Sequence, residues 1–374
     1  MPFAKYEPIH QTAILPGMVP ISHRLKTSMK QPRILFLTSG ARIPSTRYRI
    51  APYIPRLREQ GIVCDVRHSF PPKYHRISWL GWRLSHLLRK LCRLKDWCRT
   101  FVVPCDVIVI ERELFDDPSS WMERIFRSRC KRLILDVDDA IFLRYPEKFP
   151  LLCRLSDLVI VGNSFLATAC ESDAREIKII PTAIELKEYL PSGRTTRNQP
   201  AVVGWIGTET NIPQLKLILP ALREVSQNIP LVLRVISSSP RPFSELDLEG
   251  IELEFQEWSA DTAIDDIREF DIGVMPLVDE PWERYKCGFK LLQYMAAGVP
   301  AIASPVGVNS QIIQSGVNGI LAENTADWIS ALQKLLTDED CAHQMAATAC
   351  KTVEEHYSVG GWTDPFIQAV IGER

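Results

Sequence analysis

Between residues 283 and 309 the chain reads ERYKCGFKLLQYMAAGVPAIASPVGVN, which gathers Lys286, Gly288, Lys290 and Gln293 at the start of an apolar run. A helix start presents unpaired backbone N–H groups and a partial positive charge, and a glycine there lets an anion come close to the backbone. Two lysines beside such a start make a diphosphate a natural ligand. If the helix begins near Lys286, the spacing i, i+4, i+7 puts Lys286, Lys290 and Gln293 on one face. Phe289, Leu291, Leu292, Tyr294 and Met295 then supply the packing face, Gly298 the stop, and Pro300 follows it. The same spacing equally fits two lysines that only solvate an exposed face.

Three further constellations could do chemistry. The strand-like run LILDVDDAIF (133–142) ends in Asp136, Asp138 and Asp139, where carboxylates can project into a cleft. A metal-binding Asp-x-Asp belongs to a single-sheet fold that the rest of the chain contradicts. The run also resembles the aspartyl nucleophile motif of haloacid-dehalogenase phosphatases, although Ala140 stands where that family expects Thr or Val. A helix N-cap by Asp138 or Asp139 is the third reading. SGARIPSTRYRI (39–50) brings Gly40, Arg42, Arg47 and Arg49 to a strand-to-helix loop, where bidentate arginines suit phosphate or carboxylate and also surface ion pairs. Asn163, after VIVG, ends another strand and can contact substrate or support backbone.

The elements that must position these groups are short apolar runs alternating with helical patterns: RILFLT (33–38), DVIVIE (106–111), RLILDV (132–137), DLVIVGN (157–163) and IKIIP (177–181). After the polar stretch SGRTTRNQPA (192–201) the alternation restarts with AVVGWIG (201–207), LVLRVISSS (231–239), IELEF (251–255), DIGVMPL (271–277) and VPAIAS (299–304). Continuous apolar strands separated by helices indicate parallel sheets covered on both faces. The α/β pattern predicts two tandem Rossmann-like doubly wound domains facing a central cleft, with ligands at the carboxyl ends of their strands. The expected divisions are a loosely attached or disordered leader over 1–32, an N-terminal domain over 33–195, a C-terminal domain over 196–355, and a terminal helix over 356–374 packing back on the first domain. Met29 is an alternative start for the chain.

Composition narrows the classes. With 374 residues, two cores are expected, and 44 basic against 45 acidic residues argue against a nucleic-acid partner. Ten cysteines without Cys-x-x-Cys pairs or Cys/His clusters read as reduced thiols of a cytosolic protein, and no metal site is expected. Residues 77–101 place Leu80, Leu84, Leu87, Leu91, Leu94 and Cys98 on one helical stripe, with Arg83, Lys90 and Arg93 beside or opposite it and Trp79, Trp82 and Trp97 present. Such a helix can dock on an anionic bilayer, or its leucines can pack on the first sheet while the cations are solvated.

YKCGFKLLQYMAAGVPAIA (285–303) resembles the donor-binding segment of GT-B glycosyltransferases, specifically the large retaining family 4, whose pattern is EGFGLxLLEAMAAGxPVVA. VIVGNSFLA, IIPTAIELKEY, VVGWIGTETNIPQL, DWISALQKLLTDED and YSVGGWTDPFIQAV extend the resemblance over nearly all of the chain after residue 32. It implies transfer of a sugar from a nucleotide-diphosphate sugar, with retention, without a metal or other cofactor, to a glycan or lipid-linked acceptor, in the cytoplasm or at the inner face of the membrane. Both glutamates of the family pattern are replaced, the first by Tyr285 and the second, which holds the donor ribose, by Gln293. Glu283 can substitute for the first. The usual Arg and Lys after the first strand of the second domain are also missing, with only Thr208, Glu209 and Thr210 standing there beside Gly207. The resemblance thus implies donor contacts by Gly207, Thr208, Arg234, Lys286, Gly288, Phe289 and Gln293. It implies catalytic roles for Asp138, Lys290 and Glu283, and an acceptor or phosphate side made by Gly40, Arg47, Arg49, Asp139 and Asn163. The loss of both glutamates also fits a GT-B protein that binds nucleotide without turnover.

Overall fold

In a computed structural model of the chain the described residues are 32–189, 191, 193 and 196–372. The expected leader 1–32 thus lies outside the described residues except for Pro32, and the linker stretch 192–201 does so in part.

The first sheet is built from β1 (Arg33–Thr38), β2 (Val63–His68), β3 (Val107–Glu111), β4 (Arg132–Val137), β5 (Leu158–Val161) and β6 (Ile177–Ile179). All pairings are parallel, in the order β2-β1-β3-β4-β5-β6. The second sheet comprises β7 (Ala201–Ile206), β8 (Leu231–Ser237), β9 (Glu252–Glu257), β10 (Ile272–Met275), β11 (Ala301–Ala303) and β12 (Ile320–Leu321), parallel in the order β12-β11-β10-β7-β8-β9. The expected pair of doubly wound sheets is therefore present.

Strand alternation divides each sheet between two cores. Ile34, Phe36, Val109 and Ile134 face one side of the first sheet, and Leu35, Leu37, Ile108 and Leu135 the other. In the second sheet Val202, Val232 and Ile236 face one core, and Val203, Trp205 and Leu233 the opposite one. Each such buried aliphatic side chain contributes roughly 1.5–3 kcal/mol, which is why these runs need no polar face. The final helix, Val359–Ile371, places Val359, Phe366, Ile367 and Val370 in a first-sheet core, and Phe366 stacks on Tyr53 at 4.2 Å.

Two local expectations are corrected. The helix of the opening motif spans Phe289–Ala296, not from Lys286, because Gly288 adopts a left-handed φ of 65° that turns the chain immediately before it. Lys286 lies in extended backbone ahead of that turn and shares no helical face with Lys290 and Gln293. In the helix Gly81–Val102, the leucine stripe does not pack on the first sheet: Leu84, Leu87, Leu91 and Leu94 are exposed, whereas Ser85, Arg89, Arg93 and Thr100 are buried.

Candidate active site

A cavity of about 390 Å³ opens where the carboxyl ends of β4, β7, β8 and β10 converge. Its wall includes Asp138 and Asp139 from beyond β4, Gly207 and Thr208 from beyond β7, Ser238 from beyond β8, and Met275. The stretch Lys286–Lys290 and Gln293 complete one side, and Arg42, Tyr48 and Arg49 another. Ten of the expected site residues therefore meet in one place: Arg49, Asp138, Asp139, Gly207, Thr208, Lys286, Gly288, Phe289, Lys290 and Gln293.

Lys290 enters from the first turn of the Phe289–Ala296 helix and crosses Gly207. A Cβ at Gly207 would stand 2.7 Å from Lys290 Cε and 2.6 Å from the Trp205 ring, so only glycine leaves this path open. The ammonium sits 5.5 Å over the Trp205 ring, and among the described residues it has no hydrogen-bond or ion-pair partner. Burial, reinforced by the neighbouring charge of Lys286 and opposed by Asp139, lowers its pKa to about 7. Lys286 Nζ, by contrast, donates to Asn211 Oδ1 at 2.8 Å and lies 3.4 Å from Glu283. At the helix start, a Cβ on Gly288 would approach Ile312 Cδ1 to 2.4 Å. Gln293 is buried and donates its amide to the Tyr189 hydroxyl at 2.8 Å, so its carbonyl oxygen is the acceptor it can offer a ligand.

Opposite stand the three aspartates, each matched to an arginine. Asp136 is 1% exposed and takes a bidentate pair from Arg49 at 2.9 and 2.6 Å. A carboxylate so enclosed has no open trajectory to a phosphate ester, which removes the nucleophile reading. Arg49 also donates to the Ile180 carbonyl and Thr182, so it is a fixed strut of the wall and not a free anion clamp. Asp138 is paired with Arg112, whose Nη2 is 3.7 Å from Asp139. Burial alone raises the pKa of Asp138, but Arg112, with help from Arg49 and Lys73, overcomes it and holds the carboxyl below its ordinary value. Asp139 goes the other way, because burial outweighs the attraction of Arg112. Neither aspartate caps the following helix Ile141–Arg144, whose N-cap is Ala140 without a side-chain bond. Among the described residues no cluster of three or more His, Cys, Asp or Glu is arranged to hold a metal ion.

The remaining expected residues take supporting positions. Glu283 is buried outside the cavity wall and acts through its contacts to Lys286 and Gln214. Arg234 lies in mid-strand and binds Glu254 on β9 at 2.7 Å, in register with it, so it is absent from the cavity wall. Gly40 makes the turn after β1, packed against Pro72. Arg47 reaches across to the Ala260 carbonyl at 3.2 Å and lies near the Trp258 ring, bordering a separate hollow of about 500 Å³. Asn163 caps the helix Ser164–Cys170 through Leu166 N and donates to the carbonyls of Tyr285 and Lys286, fastening the two sheets' loops together. Tyr285 turns from the cavity and packs edge-on against Phe142, with ring centroids 4.7 Å apart. Phe289 meets Tyr48 at 4.1 Å.

Arg112 was not visible as a site residue in the sequence. Its signal is positional: it follows the apolar strand β3 directly, at a carboxyl end, and holds a φ of 55° that non-glycine residues rarely adopt. Its own N–H is tied to the Asp136 carbonyl at 2.8 Å.

Residues 200–338 match the family model described as Glycosyl transferases group 1. No sequence match among curated proteins reaches significance. Among solved structures, sucrose-phosphate synthase from Thermosynechococcus elongatus superposes with a TM-score of 0.71 at 14% identity, over 91% of this chain and 98% of that one. The Anabaena HepE protein in complex with UDP and glucose gives 0.65 at 17%, over 91% and 99%. A glycosyltransferase from Rickettsia africae gives 0.66 at 12%, over 92% and 100%. The chain has the GT-B fold, and through its second sheet it matches the group 1 glycosyltransferases.

Proposed function

We propose that the chain transfers a hexosyl group from a nucleotide-diphosphate sugar, with UDP as the carrier, to a cell-envelope or exopolysaccharide glycan or a lipid-linked acceptor. The observation that carries the reading is Lys290: a partly desolvated cation that, among the described residues, has no direct ion-pair partner, at a glycine-opened helix start, inside the cavity where both sheets converge. A buried ammonium with a lowered pKa is a site short of negative charge, and a diphosphate supplies it. HepE, similar in fold, is seen with UDP, which supports the choice of carrier.

The chemistry follows from placement. Breaking the sugar–phosphate bond leaves negative charge on the diphosphate. Lys290, Lys286 and the first N–H groups of the Phe289–Ala296 helix stabilise it without reorganising. This charge supply makes a metal unnecessary. Gln293 offers its carbonyl oxygen to the ribose hydroxyls. Asp138, kept ionised by Arg112, accepts hydrogen bonds from the transferred sugar, and the acceptor approaches along the first-sheet wall near Arg42 and Arg49. Retention of configuration is part of this proposal. The 33–195 and 196–355 divisions then correspond to acceptor and donor sides.

The test is release of UDP from a panel of UDP-sugars, with and without candidate acceptor glycans and with chelator present. UDP release that rises with an acceptor supports transfer. Binding of UDP-sugars with no release under any condition supports instead a binding protein without turnover, a reading favoured by the diversion of Tyr285 into packing against Phe142.

A further inference from the structure

The helix Gly81–Val102 buries its charges and exposes its leucines. On its inner side Arg89 pairs with Asp116 at 2.7 Å and donates to the His75 carbonyl at 2.9 Å, and Arg93 donates to the carbonyls of Thr38 and Arg67. Arg93 also holds Asp96, the single acidic residue of the helix, at 3.2 Å. These buried bonds fix the rotation of the helix, since turning it over would strand both guanidinium groups and Asp116.

The outward side is apolar along its length. Leu84, Leu87, Leu91 and Leu94 are between 37% and 55% exposed, Trp79 just before the helix is 84% exposed, and Val102 at its end is 83% exposed. Twenty-two residues make a stripe about 33 Å long. Water-facing leucines on four successive turns are a continuous patch and not the scattered exposure normal for a surface. Arg83 and Lys95 are exposed on either flank and, among the described residues, form no ion pair. No acidic side chain of the helix faces outward to compete with them, although the whole chain carries a net charge of -1. Positive flanks around an apolar face with a tryptophan at one end complement a negatively charged surface with an accessible hydrocarbon layer. Among the described residues no helix is long and apolar enough to cross a membrane.

We propose that the outward face of the Gly81–Val102 helix docks the protein on an anionic lipid bilayer. The inner arginines then connect that surface to the cavity. Arg89 is tied to Asp116, a few residues beyond Arg112, which holds Asp138, and Lys73 and Tyr74 brace Glu113 between them. The helix is thus fixed to the loop after β3 that carries Arg112, which suits an acceptor with a lipid tail. That last consequence rests on the glycosyltransferase reading, whereas docking does not.

The experiment is co-sedimentation of the full chain with vesicles of phosphatidylcholine alone and of phosphatidylcholine with phosphatidylglycerol, comparing wild type with Leu87→Glu/Leu91→Glu. Wild type should bind the anionic vesicles, less so at high salt, and the double variant should bind about tenfold or more weakly. Both substituted side chains already face water, so the unfolding midpoint should not move. Arg83→Glu/Lys95→Glu should lose preference for anionic vesicles while its midpoint is unchanged. Absent or equal vesicle binding by wild type and the leucine variant overturns the proposal. So does a wild-type dimer in lipid-free ultracentrifugation that the leucine variant turns to monomer without any vesicle binding, because the face then serves a second copy. Loss of docking leaves UDP release from a soluble acceptor assay unaffected, so failure here and failure of the transfer reading are separable.

Discussion

Lys290, on the second-sheet side of the cavity, is held in the opposite way from the arginines of the first-sheet side. On the first-sheet side Arg49 and Arg112 are locked against Asp136 and Asp138, and deeper in the same half Arg89 and Lys73 are locked against Asp116 and Glu113. On the second-sheet side Lys290 has an aromatic ring for a neighbour and a second lysine that repels its charge. Paired arginines shape a wall; an unpaired lysine waits for an anion. Charge alone therefore does not mark a binding group, and the partner already present decides which cations are free to bind.

Breaking the paired side should cost stability. Arg49→Met leaves Asp136 buried without its partner, and chemical denaturation should show a loss of about 3–5 kcal/mol. A loss below about 1 kcal/mol would show that the pair is not structural. Breaking the unpaired side should cost function instead. Lys290→Ala should lower UDP release from the donor sugar by about a hundredfold, while the ligand-free unfolding midpoint stays level or rises because a desolvated charge has gone. An equal fall in stability for both variants would erase the contrast. The smallest effect is expected at the turn between them: Gly288→Ala must place a side chain at φ 65° and against Ile312, costing about 1–2 kcal/mol with a parallel weakening of UDP binding.

The contrast also sets what the sequence reveals. Strands β3, β4, β7 and β8 were legible because continuous Val, Ile and Leu runs allow little else. β2 is not legible because its residues, VCDVRH, form neither a continuous apolar run nor a clean alternation at a sheet edge, and β12 because it has two residues. The lysine cluster was legible around Gly288, but its placement on one helical face was not, since the left-handed turn at Gly288 lies between Lys286 and the helix. The leucine stripe was visible while its direction was not. Helical periodicity gives a face without saying which way it points, and the partners that turn Arg89 inward, Asp116 and the His75 carbonyl, come from other segments of the chain. Arg112 is hidden for the same reason, as its meaning depends on Asp138, just beyond the neighbouring strand β4.

The most direct test of the donor-site account is calorimetric titration of UDP into the wild-type chain and Lys290→Met, at slightly alkaline pH in two buffers of different ionisation heat. Free Lys290 holds its proton only to about pH 7, and a bound diphosphate raises that value. Above pH 7 UDP binding should therefore take up protons and weaken as pH rises, and Lys290→Met should bind more weakly without the uptake. Equal affinity and equal proton exchange in the two proteins would contradict the account and place the diphosphate elsewhere.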